Sequence, residues 1–258
     1  MKLPLYQVDA FTSRVFGGNP AAVCPLEAWL PDAQLQAIAL ENNLSETAFL
    51  VKEPSGWRVR WFTPTTEVDL CGHATLASGH VLIRGDRVRF RTRKAGILEV
   101  RSGVAGYELD LPETLVAPAG HPALLEALGL PDAQVFLSTS GAEATAIILV
   151  ADEAAVRACA PAMSRLAGIE LMAIVTAPGD EQDVVSRVFV PAWGVDEDPV
   201  TGSAHAALAP FWCERLGRDS FTAFQASRRG GQVHCRRVGD RVVLGGACVT
   251  VLEGTLRF

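Results

Sequence analysis

The chain has 258 residues, 49% hydrophobic and 20% charged, with a formal net charge of -6 and a mean hydropathy of +0.21. That composition describes a folded chain with apolar material for one large core or two smaller ones, and it excludes a disordered one. The acidic balance argues against a nucleic-acid partner, and no run of about 18 apolar residues offers a membrane span.

The N-terminal stretch MKLPLYQVDAF lacks the apolar core and small-residue cleavage site of a secretion signal. Cys24, Cys71, Cys159, Cys213, Cys235 and Cys248 are scattered, with no CxxC pair. Both features predict a cytoplasmic protein with reduced thiols.

In chain order, YQVDAF reads as a strand, and PDAQLQAIALENN (31–43) as a helix with Pro31 in its first turn and Leu35, Ile38 and Ala39 on one face. The turn-formers Asn42, Asn43 and Ser45 then lead to Glu46, at the mouth of the apolar strand ETAFLV. Partial desolvation there raises a carboxylate's proton affinity and suits an acid–base role; a capping or strand-edge carboxylate is the structural alternative. After the strand WRVRWF comes LCGHATLASGHVLI, whose helix from Gly72 to Ile83 has no charged residue on any face. Such a helix is buried all round, so strands wrap it. ILEVRS and GYELDL complete the first half, and the proline- and alanine-rich segment 112–122 is the expected connection.

The second half repeats the style with EATAIILV, DVVSRVFV, a second apolar helix TGSAHAALAPFWCERLG (201–217), QVHCRRV and DRVVLGG. Pro210 is expected to bend or interrupt that helix, and Gly217 to cap it. Arg228, Arg229, Arg236 and Arg237 read as a solvated strand-and-turn surface. His80 and His205 read as structural, while His121 and His234 carry no signal. The expected division is residues 1–115 and 116–258, with the final strand, 248–258, packing back on the first domain.

An internal repeat supports duplication. Arg60, Phe62, Pro64, Val68 and Asp69 match Arg187, Phe189, Pro191, Val195 and Asp196 at one offset of 127, and the glycines opening the helices, Gly72 and Gly202, lie 130 apart. The three extra residues are expected in the DEDPVTG turn.

A helix start leaves backbone N–H groups unpaired and partly positive, and glycine admits a ligand close to them. Two such starts on duplicated domains would hold a small carboxylate and steady the enolate formed beside it. The structural alternative is that the glycines only permit tight turns. His73, in the first turn, is expected to be a neutral imidazole. Cys71 is either a thiolate acidified by the helix start or a packed thiol; its match in the second copy is Thr201, which cannot act as an opposing thiol. Asp198, three residues before Thr201, suits a substrate hydroxyl or ammonium, or is simply a turn aspartate. A Cys-x-His pair is too few ligands for zinc, so no metal site is expected. FGGNP and GSAHA lack the patterns of a nucleotide binder.

QVDAFTSRVFGGNPAAVC, NNLSETAFL, DLCGHATLASGHVL, EDPVTGSAHAALAPFW and GGQVHCRRVGDRVVLGG closely resemble the phenazine-biosynthesis-like (PhzF-type) isomerase family, from about Tyr6 to Leu256. The resemblance implies an α+β fold like that of diaminopimelate epimerase: two pseudo-symmetric domains, each with mixed or antiparallel strands around a central buried helix. It implies a cofactor-free proton-transfer isomerase, usually homodimeric, acting on a small-molecule carboxylate; in the phenazine isomerase a glutamate moves a proton within a dihydro-hydroxyanthranilate. Glu46 occupies that glutamate's motif position, and His73, Asp198 and Ser203 match other polar residues of the site. Asn19, Cys71, Gly72, Thr201 and Gly202 are the remaining candidates for substrate contact. The true epimerases keep a cysteine at both helix starts, and this chain keeps only Cys71. Epimerisation of an amino or hydroxy acid, or binding without turnover, is the alternative reading.

Overall fold

The computed structural model describes residues 2–141 and 143–258. The fold is α+β, mostly strand with few helices, and the chain divides into two compact units, Met1–Asp110 with Gly245–Phe258, and Leu111–Leu244. The division falls within a strand, a few residues before the proline-rich connection.

The first unit contains β1 (Lys2–Ala10), β2 (Asn19–Leu26), α1 (Asp32–Asn42), β3 (Glu46–Glu53), β4 (Gly56–Phe62), β5 (Glu67–Val68), α2 (Gly72–Leu82), β6 (Arg87–Arg91), β7 (Ile97–Gly103) and most of β8 (Gly106–Pro112). β2 and β3 are parallel, β4 is antiparallel to β3 and β5 but parallel to β6, and β6, β7 and β8 run antiparallel in succession. Strand β18 (Cys248–Arg257) pairs antiparallel with β1 along its length.

Helix α2, without Asp, Glu, Lys or Arg, is buried continuously from Gly72 to Gly79 and packs against β1, β2, β3, β6, β7 and β18. Gly79 is required by close approach: a Cβ there would stand 2.4 Å from Val100 Cγ1. The outer helix α1 buries only Leu35, Ile38 and Ala39, which join Cys24, Phe49 and Phe62 in one apolar cluster. It stops at Asn43, whose φ of 48° lies in the left-handed region that asparagine tolerates.

The second unit contains β9 (Val116–Ala119), α3 (Pro122–Leu128), β10 (Gln134–Ser138), β11 (Thr145–Leu149), α4 (Glu153–Ala158), α5 (Met163–Leu166), β12 (Met172–Pro178), β13 (Val184–Val190), β14 (Val195–Asp198), α6 (Gly202–Leu216), β15 (Ser220–Gln225), β16 (Gly231–Val238) and most of β17 (Arg241–Gly246). Its pairing repeats that of the first. β11 and β12 are parallel, β13 is antiparallel to β12 and β14 but parallel to β15, and β15 and β16 are antiparallel. In each unit the buried helix follows the short fourth-partner strand, α2 after β5 and α6 after β14.

Two sequence expectations change here. The first concerns the repeat. Phe62 pairs with Glu67 across β4 and β5, and Phe189 with Glu197 across β13 and β14. Arg60 grips Glu67 through two hydrogen bonds of 2.8 and 2.7 Å, and Arg187 grips Glu197 through two of 2.7 and 3.0 Å. Each guanidinium also covers its own phenylalanine ring, Arg60 on Phe62 and Arg187 on Phe189. Glu67 and Glu197 are therefore the equivalent pair, and the extra residues lie before them, in the turn from Pro191 to Gly194 and the bulge at Phe189/Val190. They are not in the DEDPVTG turn, and the matches of Val68 with Val195 and Asp69 with Asp196 are coincidental.

The second concerns Pro210. Helix α6 runs uninterrupted through it. The proline removes the N–H that would bond the Ala206 carbonyl, but Thr114 N–H donates to that oxygen at 3.1 Å, so the acceptor is satisfied from outside the helix. Trp212 Nε1 further ties α6 to β12 by donating to Thr176 Oγ1 at 3.2 Å. Among the described residues, no helix is long and apolar enough to cross a membrane.

Candidate active site

The candidate residues fall into two sets, one in each unit. In the first unit, the parallel strands β2 and β3 bring their N-terminal residues, Asn19 and Glu46, to the same end of the sheet. Cys71 is the N-cap of α2 and His73 the second residue of the helix. The Cys71 side chain makes no well-formed capping hydrogen bond, although the Ala74 amide faces its sulfur. Gly72 is buried in that turn.

His73, 4% exposed, has neighbours at both ring nitrogens. Nε2 lies 3.1 Å from Glu46 Oε2, an ion-pair distance off the line of a good hydrogen bond. Nδ1 lies 3.2 Å from the Asn19 amide and 3.5 Å from Cys71 Sγ. Burial opposes the imidazolium, yet the acidic groups of Cys71 and Glu46 beside it outweigh burial and hold His73 well above its usual range. Burial, reinforced by Glu46, pushes the Cys71 thiol up to about 11, so this thiol keeps its proton near neutrality.

The first result reverses the sequence reading, and the second favours one of its two alternatives for Cys71, the packed thiol. The helix start is expected to keep His73 neutral, and for Cys71 it offers an acidified thiolate as the alternative to a packed thiol. Acidic neighbours at contact distance, Cys71 and Glu46, outweigh the partial charge of a helix end for the first, and removal from water outweighs it for the second. A protonated His73 requires the Asn19 carbonyl oxygen, rather than its NH2, at Nδ1; this is a half-turn of the amide that leaves its shape unchanged.

In the second unit, Asp198 ends β14 and Thr201 is the N-cap of α6. Thr201 Oγ1 donates to Asp198 Oδ2 at 2.5 Å. Its hydroxyl is thereby turned from capping duty, and Thr201 makes no side-chain capping bond. The equivalent of His73 is Ser203, half-buried on the first turn beside the buried Gly202. Gln225, fully buried at the end of β15, locks the arrangement. It accepts from Thr201 N–H at 2.9 Å and donates to the Asp198 carbonyl at 2.7 Å and to Thr201 Oγ1 at 3.2 Å. Sequence reasoning missed Gln225, which lies 24 residues beyond Thr201 in an ordinary strand.

The other histidines are engaged structurally. His205 Nδ1 donates to the Thr201 carbonyl at 2.7 Å, and burial lowers its pKa to about 4. His80 meets Tyr107 Oη at 3.1 Å and Thr250 Oγ1 at 2.8 Å.

The sequence pattern of the family described as "Phenazine biosynthesis-like protein" matches residues 8–254. The chain belongs to this family. It is 50% identical over 264 residues to a Pseudomonas aeruginosa protein named "uncharacterized isomerase", covering 100% of this chain and 99% of that one. A crystal structure of a phenazine biosynthesis protein PhzF family member from Enterococcus faecalis superposes with a TM-score of 0.93 at 42% identity, covering 100% of both chains. A predicted epimerase from Pseudomonas aeruginosa, at 21% identity, shares the fold with a TM-score of 0.77 over 99% of each chain. This member of the phenazine biosynthesis-like family is an isomerase.

Proposed function

We propose that the protein is a cofactor-independent isomerase that moves a proton within a small carboxylate substrate, with Glu46 as the acid–base residue. The observation that carries this reading is the contact of Glu46 with His73, 3.1 Å apart at the start of a buried helix. A base must surrender its proton again to a different carbon, and an imidazolium at one carboxylate oxygen leaves the other oxygen for the substrate. Deprotonation beside a carboxylate builds charge on oxygen, and the first-turn amides of α2, which begins at Gly72, are preorganised donors for it. In the second unit the reading assigns Asp198 to a substrate hydroxyl or ammonium, with Thr201 and Gln225 fixing its carboxylate. Gly72, Gly202 and Ser203 contribute open helix starts. A cytoplasmic homodimer belongs to the same reading.

Deuterium wash-in tests it. The protein is incubated in D2O with dihydro-hydroxyanthranilate, diaminopimelate, proline and hydroxyproline, and exchange is followed by mass spectrometry and proton NMR. Wild-type exchange that falls by about a hundredfold or more in Glu46→Gln supports the assignment. Exchange that persists in the variant moves the base to another group, with Cys71 next in line.

A further inference from the structure

We propose that Glu46, Cys71 and His73 form a binding site for a zinc-class divalent cation, in which the ion takes one ligand atom from each. The sequence offered only a Cys-x-His pair, too few ligands to hold zinc. The fold supplies the third from β3, 25 residues before Cys71 in the chain. One nitrogen of His73, Cys71 Sγ and a Glu46 carboxylate oxygen lie within 4.8 Å of one another.

The donor chemistry selects the ion. A thiolate with an imidazole favours zinc over magnesium or calcium, which prefer all-oxygen shells. Three protein ligands with a fourth position left to water is the composition of an open zinc site rather than a closed structural one. Metal–ligand distances of roughly 2.0–2.3 Å place ligand atoms roughly 3.5 Å apart in a tetrahedron. The Cys71–His73 edge already has that length, at 3.5 Å.

Cys71 and Glu46 approach opposite nitrogens of the ring, so occupation requires the glutamate to swing to the Nδ1 side and the Asn19 amide, 3.2 Å from Nδ1, to give way. Cys71 and His73 sit on the start of one rigid buried helix and need not move. Glu46, at the first residue of its strand, has a side chain more exposed than that of His73, 17% against 5%, and is the partner that turns. On binding, the Cys71 S–H bond and one imidazolium N–H bond of His73 are exchanged for bonds to the metal, and both protons leave to solvent.

Binding does not depend on the proton-transfer reading. Its consequence does: an ion on Glu46 and His73 removes the acid–base pair, so zinc would reversibly inhibit exchange.

The test needs no substrate. The intact protein, stripped with a chelator, is titrated with Co2+ as a coloured substitute and with Zn2+ against a chromophoric chelator. The expected result is one equivalent per chain, intense visible bands of four-coordinate Co2+, and a sulfur-to-cobalt charge-transfer band. Cys71→Ser should abolish that band, and Glu46→Gln should weaken Zn2+ binding by about tenfold or more while leaving the band intact. Circular dichroism checks that each variant is folded; if Cys71→Ser is not, the Glu46→Gln affinity decides. The proposal is overturned by a pale six-coordinate cobalt spectrum without charge transfer, by a band that survives Cys71→Ser, or by Zn2+ affinity unchanged in Glu46→Gln. Failure of this titration leaves the deuterium experiment untouched, so the two ideas fail separately.

Discussion

Glu46 and His73 meet at 3.1 Å although they come from a strand and a helix start 27 residues apart. Together with Cys71, this contact raises the pKa of a histidine that a helix N-terminus would lower, and the first consequence is a pH dependence. Because the pKa of His73 is raised in the folded state, its contribution to stability is complete below the ordinary value of 6.5 and is lost as pH rises from there through the folded value. Urea unfolding from pH 5 upward should therefore show a decline above about 6.5, with a slope of at most about 1.4 kcal/mol per pH unit from this group. His73→Gln should remove that component; an identical pH profile in the variant would contradict the ion pair.

The thiol of Cys71 should be sluggish. With burial pushing it up to about 11, iodoacetamide at pH 8 should label Cys71 far more slowly than a cysteine in an unfolded peptide. Peptide mass spectrometry of timed reactions reads this directly. Labelling faster than the unfolded control would restore the acidified thiolate that the helix start alone suggests.

Gln225 is placed to hold the second helix start. Gln225→Leu strands the Thr201 N–H and frees the Asp198 carbonyl, so it should cost about 1–3 kcal/mol in stability, measured by chemical unfolding. A loss below a few tenths of a kcal/mol would show that water replaces the side chain without penalty.

Gly79 tests how tightly α2 is sheathed. Gly79→Ala puts a methyl 2.4 Å from Val100 Cγ1 and 2.8 Å from its Cβ, and overpacking of this kind costs about 1–3 kcal/mol. Adding Val100→Ala removes the Cγ contacts but leaves the Cβ, so the double variant should recover only part of the deficit. Full additivity of the two losses in thermal unfolding would argue against this contact.

The resemblance of the motifs already pointed to the family, and the charge-free run from Gly72 to Ile83 already implied a helix enclosed by strands, because a helix with no polar stripe has no face to give to water. The duplication was also legible, since each copy repeats an arginine, a phenylalanine and a glycine at nearly fixed spacing. The location of the insertion was not. Val68 and Val195 match as letters, but the pairing of Phe62 with Glu67 and of Phe189 with Glu197 shows that strand register, not letter identity, fixes equivalence.

By itself, then, the sequence determined what local patterning can carry: strand and helix periodicity, helix starts opened by glycine, and the motif set around Glu46, His73 and Asp198. Tertiary structure alone decided what those groups are chemically. The charge on His73, the protonated state of Cys71, the clamp made by Gln225 and the tolerance of Pro210 each depend on a partner brought from tens of residues away, Thr114 reaching Ala206 being the longest of these contacts. A pKa or a satisfied carbonyl is set by distance and burial in three dimensions, and neither quantity is written in the spacing of residues along the chain.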